Sequence, residues 1–201
     1  MYPHLAHVFV DGASLRKRAQ EFDRELVNPR KLADALVQRL QDWAAIPSSG
    51  ANTVLGRVTY YDAKPDDGTT TAPELAEYWS AVELLPDTQL GFGALRGLNR
   101  KTPRQKGVDT LIAVDMLVGA FSGLFDVAVL VASDADFVPV VEEVKRRGVM
   151  VAVASLSTGL SDDLRRIADR FIEIGPAVDP APRFFPKLDV SGKTFRLPRT
   201  A

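Results

Sequence analysis

Residues 127–137 have the sequence VAVLVASDADF, and this stretch decides the fold. Its first six residues are apolar without interruption, which is typical of a strand buried on both faces of a parallel sheet. Ser133, Asp134 and Asp136 follow directly, where such a strand would end. In open parallel sheets, ligands bind beside the carboxyl ends of the strands. The stretch therefore predicts a central strand that brings polar and acidic side chains to a binding edge.

Apolar strands alternate with helices on both sides of this stretch. The predicted strands are residues 7–10, 54–61, 89–95, 127–132, 149–154 and 171–174. The predicted helices are residues 29–45, 108–121, 137–147 and 161–168, with two more beginning at residues 13 and 73. This alternation predicts an α/β fold in which a parallel sheet carries helices on both faces. Residues 96–107 are basic and contain Pro103, and we predict a mobile loop there.

The last part of the chain differs in composition from the rest. Residues 1–175 are predicted to form one domain, and residues 176–201 a proline-rich, basic tail without hydrophobic periodicity. Three phenylalanines in the tail argue against pure disorder. The tail could contact RNA, dock on a partner or pack on its own domain.

Composition limits the chemistry that this protein can perform. The chain has no cysteine and two histidines, His4 and His7, which argues against thiolate sites, histidine zinc sites and catalytic triads. No apolar run is long enough to span a membrane, and the lack of cysteine fits a cytoplasmic protein. The net charge of -1 gives no global attraction to nucleic acid, so any basic surface must be local.

Aspartates lie where several predicted strands end. The candidates are Asp11, Asp62, Asp134 and Asp136 at strand exits, and Asp109 and Asp115 in the helix before the central strand. A single aspartate after a strand is more often a helix N-cap than a metal ligand. Independent caps, however, need not lie at the same edge of one sheet. With only oxygen donors on offer, we expect this edge to bind Mg²⁺ or Mn²⁺.

These residues give the sequence a resemblance to a known family. The motifs are VFVDGASL at residues 8–15, YYD at 60–62, KGVD at 106–109 with Asp115, and LVASDADFVP at 130–139. In this order they resemble the NYN domain, the branch of the PIN-like nuclease superfamily that includes the LabA-like proteins. Two positions depart from the family pattern. Ser14 replaces the usual asparagine, and Ala132-Ser133 replaces the usual serine and glycine before the acids.

The resemblance implies a Rossmann-like sheet and a metal-dependent ribonuclease that hydrolyses RNA phosphodiester bonds. It places Asp11, Asp109 and Asp134 on the family's metal-binding acids, with Asp136 as a further catalytic acid. A bound divalent ion would lower the pKa of water and neutralise charge on the phosphate. Ser14, Asp62, Asp115 and Ser133 are predicted accessory residues.

Basic residues in the predicted loop form a candidate RNA-binding segment. They are Arg96, Arg100, Lys101, Arg104 and Lys106, without an intervening acid. They would contact phosphates, although a solvated loop has the same composition. Phe92 and Tyr61 could stack on bases, but such aromatics more often belong to the core.

Two other classes of function share parts of this pattern. A non-catalytic RNA-binding or regulatory NYN-domain protein would keep the fold without turnover. A glycosyltransferase could use Asp134 and Asp136 as a D-x-D motif, but this leaves Asp11 and Asp109 unexplained. The sequence leaves open the RNA target and whether the protein forms a homo-oligomer.

Overall fold

The computed structural model describes residues 2–19, 26–41, 52–65, 71–96, 104–156, 159–174, 189–190 and 193–194. The strands are β1 (His4–Asp11), β2 (Thr53–Pro65), β3 (Thr88–Arg96), β4 (Arg104–Lys106), β5 (Val127–Val131), β6 (Met150–Ser155), β7 (Arg170–Glu173), β8 (Asp189–Val190) and β9 (Lys193–Thr194). The helices are α1 (Gly12–Ala19), α2 (Pro29–Leu40), α3 (Pro73–Glu83), α4 (Val108–Phe121), α5 (Val138–Arg146) and α6 (Asp162–Ile167). A 3₁₀ turn (Ala135–Phe137) precedes α5.

Within the described residues, the main sheet has the strand order β4-β3-β2-β1-β5-β6-β7. All neighbouring strands from β3 to β7 run parallel, and β4 is an antiparallel edge strand on β3. The predicted α/β fold with a parallel sheet is therefore confirmed. The antiparallel edge is an addition that the sequence did not predict.

Helices cover both faces of the sheet, as predicted. Because side chains alternate along a strand, Val8 and Val10 of β1 pack into one core layer, which also contains side chains of α1, α2 and α3. Phe9, between them, packs into the opposite layer with α4, α5 and α6. No helix in the described ranges is long and apolar enough to cross a bilayer.

Three sequence predictions on secondary structure were wrong. First, β2 does not end at Tyr61 but continues through Asp62 to Pro65. Second, the predicted loop at residues 96–107 begins and ends in paired strands, because β4 pairs with the last residues of β3. Residues 97–103, including Arg100 and Lys101, lie outside the described residues. Third, the tail contains the short hairpin of β8 and β9, although we predicted no regular structure there.

Candidate functional site

The candidate site lies where the order of the sheet reverses. From β1 the chain passes to β2 and β3 on one side, and later to β5, β6 and β7 on the other. The neighbours β1 and β5 therefore flank a topological switch point, where parallel α/β sheets bind ligands. Asp11 is the last residue of β1, and Ser133 and Asp134 follow the end of β5.

Asp11 is a buried carboxylate at this point, with 9% of its surface exposed. It lies two residues after Phe9, so both side chains face the layer that contains α4. The backbone N–H of Ser14 donates to Asp11 Oδ1 at 3.0 Å, which makes Asp11 a cap of α1. Burial raises the pKa of Asp11 to about 6; the Ser14 bond opposes this rise, and the nearby Asp109 adds to it.

Asp109 is held over the same edge by the start of α4. Gly107 precedes the helix with a φ of 87°, a left-handed conformation that favours glycine. A Cβ at Gly93 of β3 would lie 2.7 Å from Cγ2 of Val108, so this glycine lets the first turn of α4 approach the sheet. Asp109 lies on the first turn of α4 as an exposed residue, but the protein around it partly shields its carboxyl group from water. This partial burial raises the pKa of Asp109, and the negative charges of Asp134 and Asp136 raise it further.

Asp134 and Asp136 are exposed in the turn after β5. The backbone N–H of Asp136 donates to Asp134 Oδ1 at 3.1 Å, so Asp134 also serves as the cap of the 3₁₀ turn. The alternative that this aspartate is a helix cap is thus confirmed for one of its oxygens. It uses one carboxylate oxygen, and it does not account for the influence of both acids on Asp109.

The charges of four aspartates therefore influence one another at this edge: Asp109 raises the pKa of Asp11, and Asp134 and Asp136 raise the pKa of Asp109. Among the described residues, no group of three or more His, Asp or Glu side chains is arranged to hold a metal ion. The acids are thus electrostatic neighbours without forming a closed ligand cage. Their carboxylate oxygens are the donors that Mg²⁺ and Mn²⁺ prefer, so the donor set fits such an ion.

Two serine hydroxyls join the elements that carry these acids. Ser14 Oγ and Ser133 Oγ lie 3.4 Å apart and connect the first turn of α1 to the segment after β5. Both hydroxyls line a small cavity of about 250 Å³, including its open mouth, whose wall also contains Ser155 of β6. The serine at position 14 therefore has a polar partner across the switch point.

Asp62 does not join the other acids, contrary to the predicted accessory role. It is fully buried inside β2, on the face that also carries Tyr60. Two guanidinium nitrogens of Arg16 donate to its two carboxylate oxygens, and Trp79 Nε1 donates to Oδ2 at 2.9 Å. Asp62 thus forms a buried ion pair between β2, α1 and α3.

Asp115, the other accessory candidate on α4, is bound to the sheet. Tyr61 Oη donates to Asp115 Oδ2 at 2.7 Å. Burial and this hydrogen bond raise the pKa of Tyr61, which keeps the phenol protonated as a donor. Tyr61 itself is fully buried, so it cannot stack on a base as one prediction allowed.

The two ends of the predicted basic segment pair as strands. Arg96 of β3 pairs with Arg104 of β4, and Ala94 pairs with Lys106. Ala94 also pairs with Lys64 of β2, so Lys64 and Lys106 occupy one cross-strand row and the same face of the sheet. Both lysines are exposed.

Lys64 is not among the predicted site residues, because the sequence predicts that this strand ends at Tyr61, whereas β2 continues to Pro65. Its ammonium lies 3.5 Å from the ring centroid of Phe92 and 5.4 Å from that of Trp79. This places a cation over an aromatic surface beside the carboxyl ends of β2 and β3. The two aromatics pack edge to face with their centroids 4.9 Å apart.

Solved structures of other proteins resemble this chain in fold. The chain has 18% identity to a protein of unknown function from Vibrio parahaemolyticus whose crystal structure is known. That match covers 86% of this chain and 94% of the other with a TM-score of 0.61, which supports the α/β fold. MurG from Acinetobacter baumannii has 12% identity over 90% of this chain and 44% of the other, with a TM-score of 0.41. No curated protein matches the sequence.

The family comparison agrees with the motifs and with the fold. The sequence model of the NYN domain matches residues 6–175, which include all six parallel strands and the four site aspartates. The protein therefore belongs to the NYN domain family, within the PIN-like nuclease superfamily, whose members typically use divalent metal ions on nucleic acid.

Proposed function

We propose that this protein is a metal-dependent ribonuclease that hydrolyses RNA phosphodiester bonds at the switch point between β1 and β5. The observation that carries the proposal is the clustering of charge around Asp109. Its pKa is raised by burial and by Asp134 and Asp136, and Asp109 in turn adds to the raised pKa of Asp11. Acids that oppose one another's ionisation are stabilised by a shared cation.

Asp11, Asp109 and Asp134 would hold the ion, with Asp136 as a further acid. When bound, Mg²⁺ or Mn²⁺ would supply positive charge against the phosphate and make water a better nucleophile at neutral pH. Asp11 is held by the Ser14 N–H and Asp134 by the Asp136 N–H, whereas Asp109 is exposed and can reorient toward a ligand. This difference explains how the acids can serve one ion without a closed cage beforehand.

Two serines beside the acids, and basic residues on the opposite face of the sheet near the carboxyl ends of its strands, would bind the RNA itself. The hydroxyls of Ser14 and Ser133 can donate to phosphate oxygens at the switch point. Lys64 and Lys106 would contact phosphates along the row that crosses β2, β3 and β4. Arg96, Arg100, Lys101 and Arg104 remain predicted phosphate contacts. Phe92 beside Lys64 would offer a partial stacking surface for a base.

Cleavage of a mixed RNA pool in Mn²⁺, compared with the same protein in chelator, tests the proposal. We expect metal-dependent products from the wild type and a loss of at least about tenfold in rate from Asp109→Asn, since removal of one charge-stabilising group commonly costs this much or more. Asp34→Asn is the matched control, because Asp34 lies on the exposed side of α2 in an ion pair with Arg30. Equal cleavage by the two variants would contradict the site assignment.

The second candidate is a non-catalytic RNA-binding or regulatory protein of the same family. It is favoured by the lack of a closed group of metal ligands among the described residues. RNA binding that is unaffected by metal, without any metal-dependent product, would select it over the nuclease. In either case we propose that residues 1–175 form the functional domain, that it belongs to the LabA-like branch, and that residues 176–201 are an appended tail.

A further inference from the structure

Two acids of the proposed site lie on different elements of the fold. Asp11 ends β1, whereas Asp109 lies on the first turn of α4. Mg²⁺ requires near-ideal octahedral geometry with its ligands at about 2.0–2.1 Å. The side chain of Asp109 can reorient, but only within the reach that the helix gives it. The position of α4 over the sheet therefore decides whether both acids can bind one ion.

The apolar contacts of α4 define its rotation about its own axis less sharply than a directional bond would. The inner side of the helix packs on the sheet through Ile112 and Met116, which are fully buried. Stabilisation by such burial is non-directional. A carboxylate lies about 5–6 Å from the axis of its helix, so a rotation of about 20° moves it by about 2 Å. A shift of this size is about the length of a bond from oxygen to Mg²⁺, and it would strain or break the contact between Asp109 and an ion.

A side-chain hydrogen bond supplies a directional contact between α4 and the sheet. Tyr61 Oη donates to Asp115 Oδ2 at 2.7 Å, a short bond of the charge-assisted kind. In the part of the chain that the structure describes, no other side-chain hydrogen bond or ion pair links α4 to the sheet. The residue that caps the start of the helix, Gly107, has no side chain that could make one.

Tyr61 occupies the position in the sheet that connects this helix to the other acid. In the pairing of β1 with β2, Tyr61 is the partner of Asp11. Neighbouring strands lie about 4.8 Å apart, and both of these side chains face the layer of α4. Tyr61 therefore links the strand position beside Asp11 to the helix that carries Asp109.

The next strand makes room for the tyrosine ring. Gly91 of β3 pairs with Tyr61, and a Cβ at this glycine would lie 2.5 Å from Cδ1 of the ring. The ring thus lies directly over the glycine, where any side chain would displace it. Tyr61 is fully buried, so close packing holds its ring in place. A ring in a fixed position gives Asp115 a fixed partner.

The helix transmits this constraint from Asp115 to Asp109. The two residues lie about 9 Å apart along the axis of α4, which is helical throughout from Val108 to Phe121. We propose that Tyr61, through Asp115, positions α4 so that Asp109 and Asp11 reach the same ion. Tyr61 and Asp115 are positioning residues in this proposal, and neither touches the ion. The inference rests on the proposed metal site, because it concerns the placement of one of that site's ligands.

Tyr61→Phe tests the proposal, because it removes the hydroxyl and keeps the buried ring. Asp115 is exposed, so water can solvate its carboxylate in this variant. In isothermal titration calorimetry, the folded variant should bind Mn²⁺ at least about tenfold more weakly than the wild type, since loss of a group that orients a metal ligand commonly costs about 10- to 100-fold.

Tyr78→Phe is the matched control for the loss of a buried hydroxyl. Tyr78 is also fully buried, but its hydroxyl donates to the backbone oxygen of Val27 at 2.9 Å, in the opposite core layer. This variant should bind Mn²⁺ within about threefold of the wild type, because distant sites are energetically independent. Equal Mn²⁺ affinities of Tyr61→Phe and the wild type would overturn the proposal.

Two variants of Asp115 separate positioning from direct action on the ion. Asp115→Asn keeps an oxygen that can accept from Tyr61 Oη, so it should bind Mn²⁺ within about threefold of the wild type. Asp115→Ala removes the acceptor and should weaken binding as much as Tyr61→Phe does. The double variant should be no weaker than either single variant, because both remove the same contact. A loss in Asp115→Asn as large as that in Asp115→Ala would refute positioning, since the charge of Asp115 would then act on the ion itself.

Amide hydrogen exchange of the metal-free protein provides a readout that does not depend on the ion. The amides of residues 112–121 in α4 should exchange at least about tenfold faster in Tyr61→Phe than in the wild type, while those of β5 stay unchanged, because only α4 loses a contact. Unchanged exchange in α4 would contradict the positioning role. A wild type that binds no Mn²⁺ would instead contradict the proposed function, and the exchange rates would still decide whether Tyr61 positions α4.

Discussion

Replacing Asp11 by asparagine should stabilise the metal-free protein at neutral pH. Asparagine keeps an oxygen that can accept from the Ser14 N–H, so the cap of α1 is retained. It removes a negative charge that is 9% exposed and lies near Asp109. The free energy of unfolding should therefore increase, although most substitutions of buried residues decrease it.

The raised pKa of Asp11 sets the magnitude and the pH dependence. Burial, opposed by the Ser14 bond, raises this pKa from 3.8 to about 6. At about 1.4 kcal/mol per pH unit, this difference corresponds to about 3 kcal/mol against the ionised folded state. A carboxyl group with a raised pKa favours the folded state below its unfolded pKa, near 4, and that contribution is lost as the pH rises through 6. The advantage of Asp11→Asn should be about 3 kcal/mol at pH 7.5 and about 1 kcal/mol at pH 4.5.

Urea denaturation of both proteins in chelator, at pH 7.5 and at pH 4.5, measures this difference. Asp34→Asn is the control, because Asp34 is exposed and paired on the surface of α2. It should change the stability by less than about 0.5 kcal/mol at either pH. The reasoning would be refuted if Asp11→Asn were less stable than wild type at pH 7.5, or if the difference between the two proteins were the same at both pH values.

Three further predictions concern the ion, the RNA and the buried pair. In thermal melts, Mn²⁺ at a concentration a hundredfold above its dissociation constant should stabilise the wild type by about 2.7 kcal/mol. Asp134→Asn should lose most of this stabilisation, and an equal stabilisation of the two proteins would exclude Asp134 as a ligand. Joint replacement of Lys64 and Lys106 by glutamine should reduce the salt slope of RNA affinity by about 1.4, whereas an unchanged slope would show that the row makes no phosphate contact. Asp62→Asn should destabilise the fold by about 3–5 kcal/mol, because Arg16 would keep a charge without its partner; a loss below about 1 kcal/mol in urea denaturation would contradict that role.

The local signals of the sequence predicted the central part of this fold well. The apolar run at residues 127–132 forms β5, which is buried throughout and lies beside β1 in the sheet. Helix α4 has the bounds that its pattern predicted, 108–121, because Gly107 fixes its start. One element is a continuous apolar run, and the other begins directly after a glycine in a left-handed conformation. In both cases the residues that determine the element are its neighbours in the sequence.

Structure that depends on distant partners could not be predicted in this way. The sequence of β4 is Arg-Gln-Lys, which has no apolar alternation, and only its pairing with the end of β3 makes it a strand. The continuation of β2 through Asp62 has a similar origin. A carboxylate inside a strand breaks the expected pattern, but Arg16 from α1 neutralises it. Both features result from contacts across the sheet that no local window contains.

Asp11 and Asp62 occupy positions one residue apart in the pairing of their strands, and their side chains therefore lie on opposite faces of the sheet. One is a candidate functional acid and the other is a structural acid. They lie near the ends of neighbouring strands, and Asp11 of β1 pairs with Tyr61, the residue before Asp62. Because side chains alternate, Asp62 enters the opposite layer, where Arg16 satisfies it. Asp11 instead faces the layer of α4, where burial raises its pKa and the negative charge of Asp109 raises it further. A divalent cation would stabilise the ionised form of an acid that lies beside another acid, and that is the physical reason to look for the ion between β1 and β5.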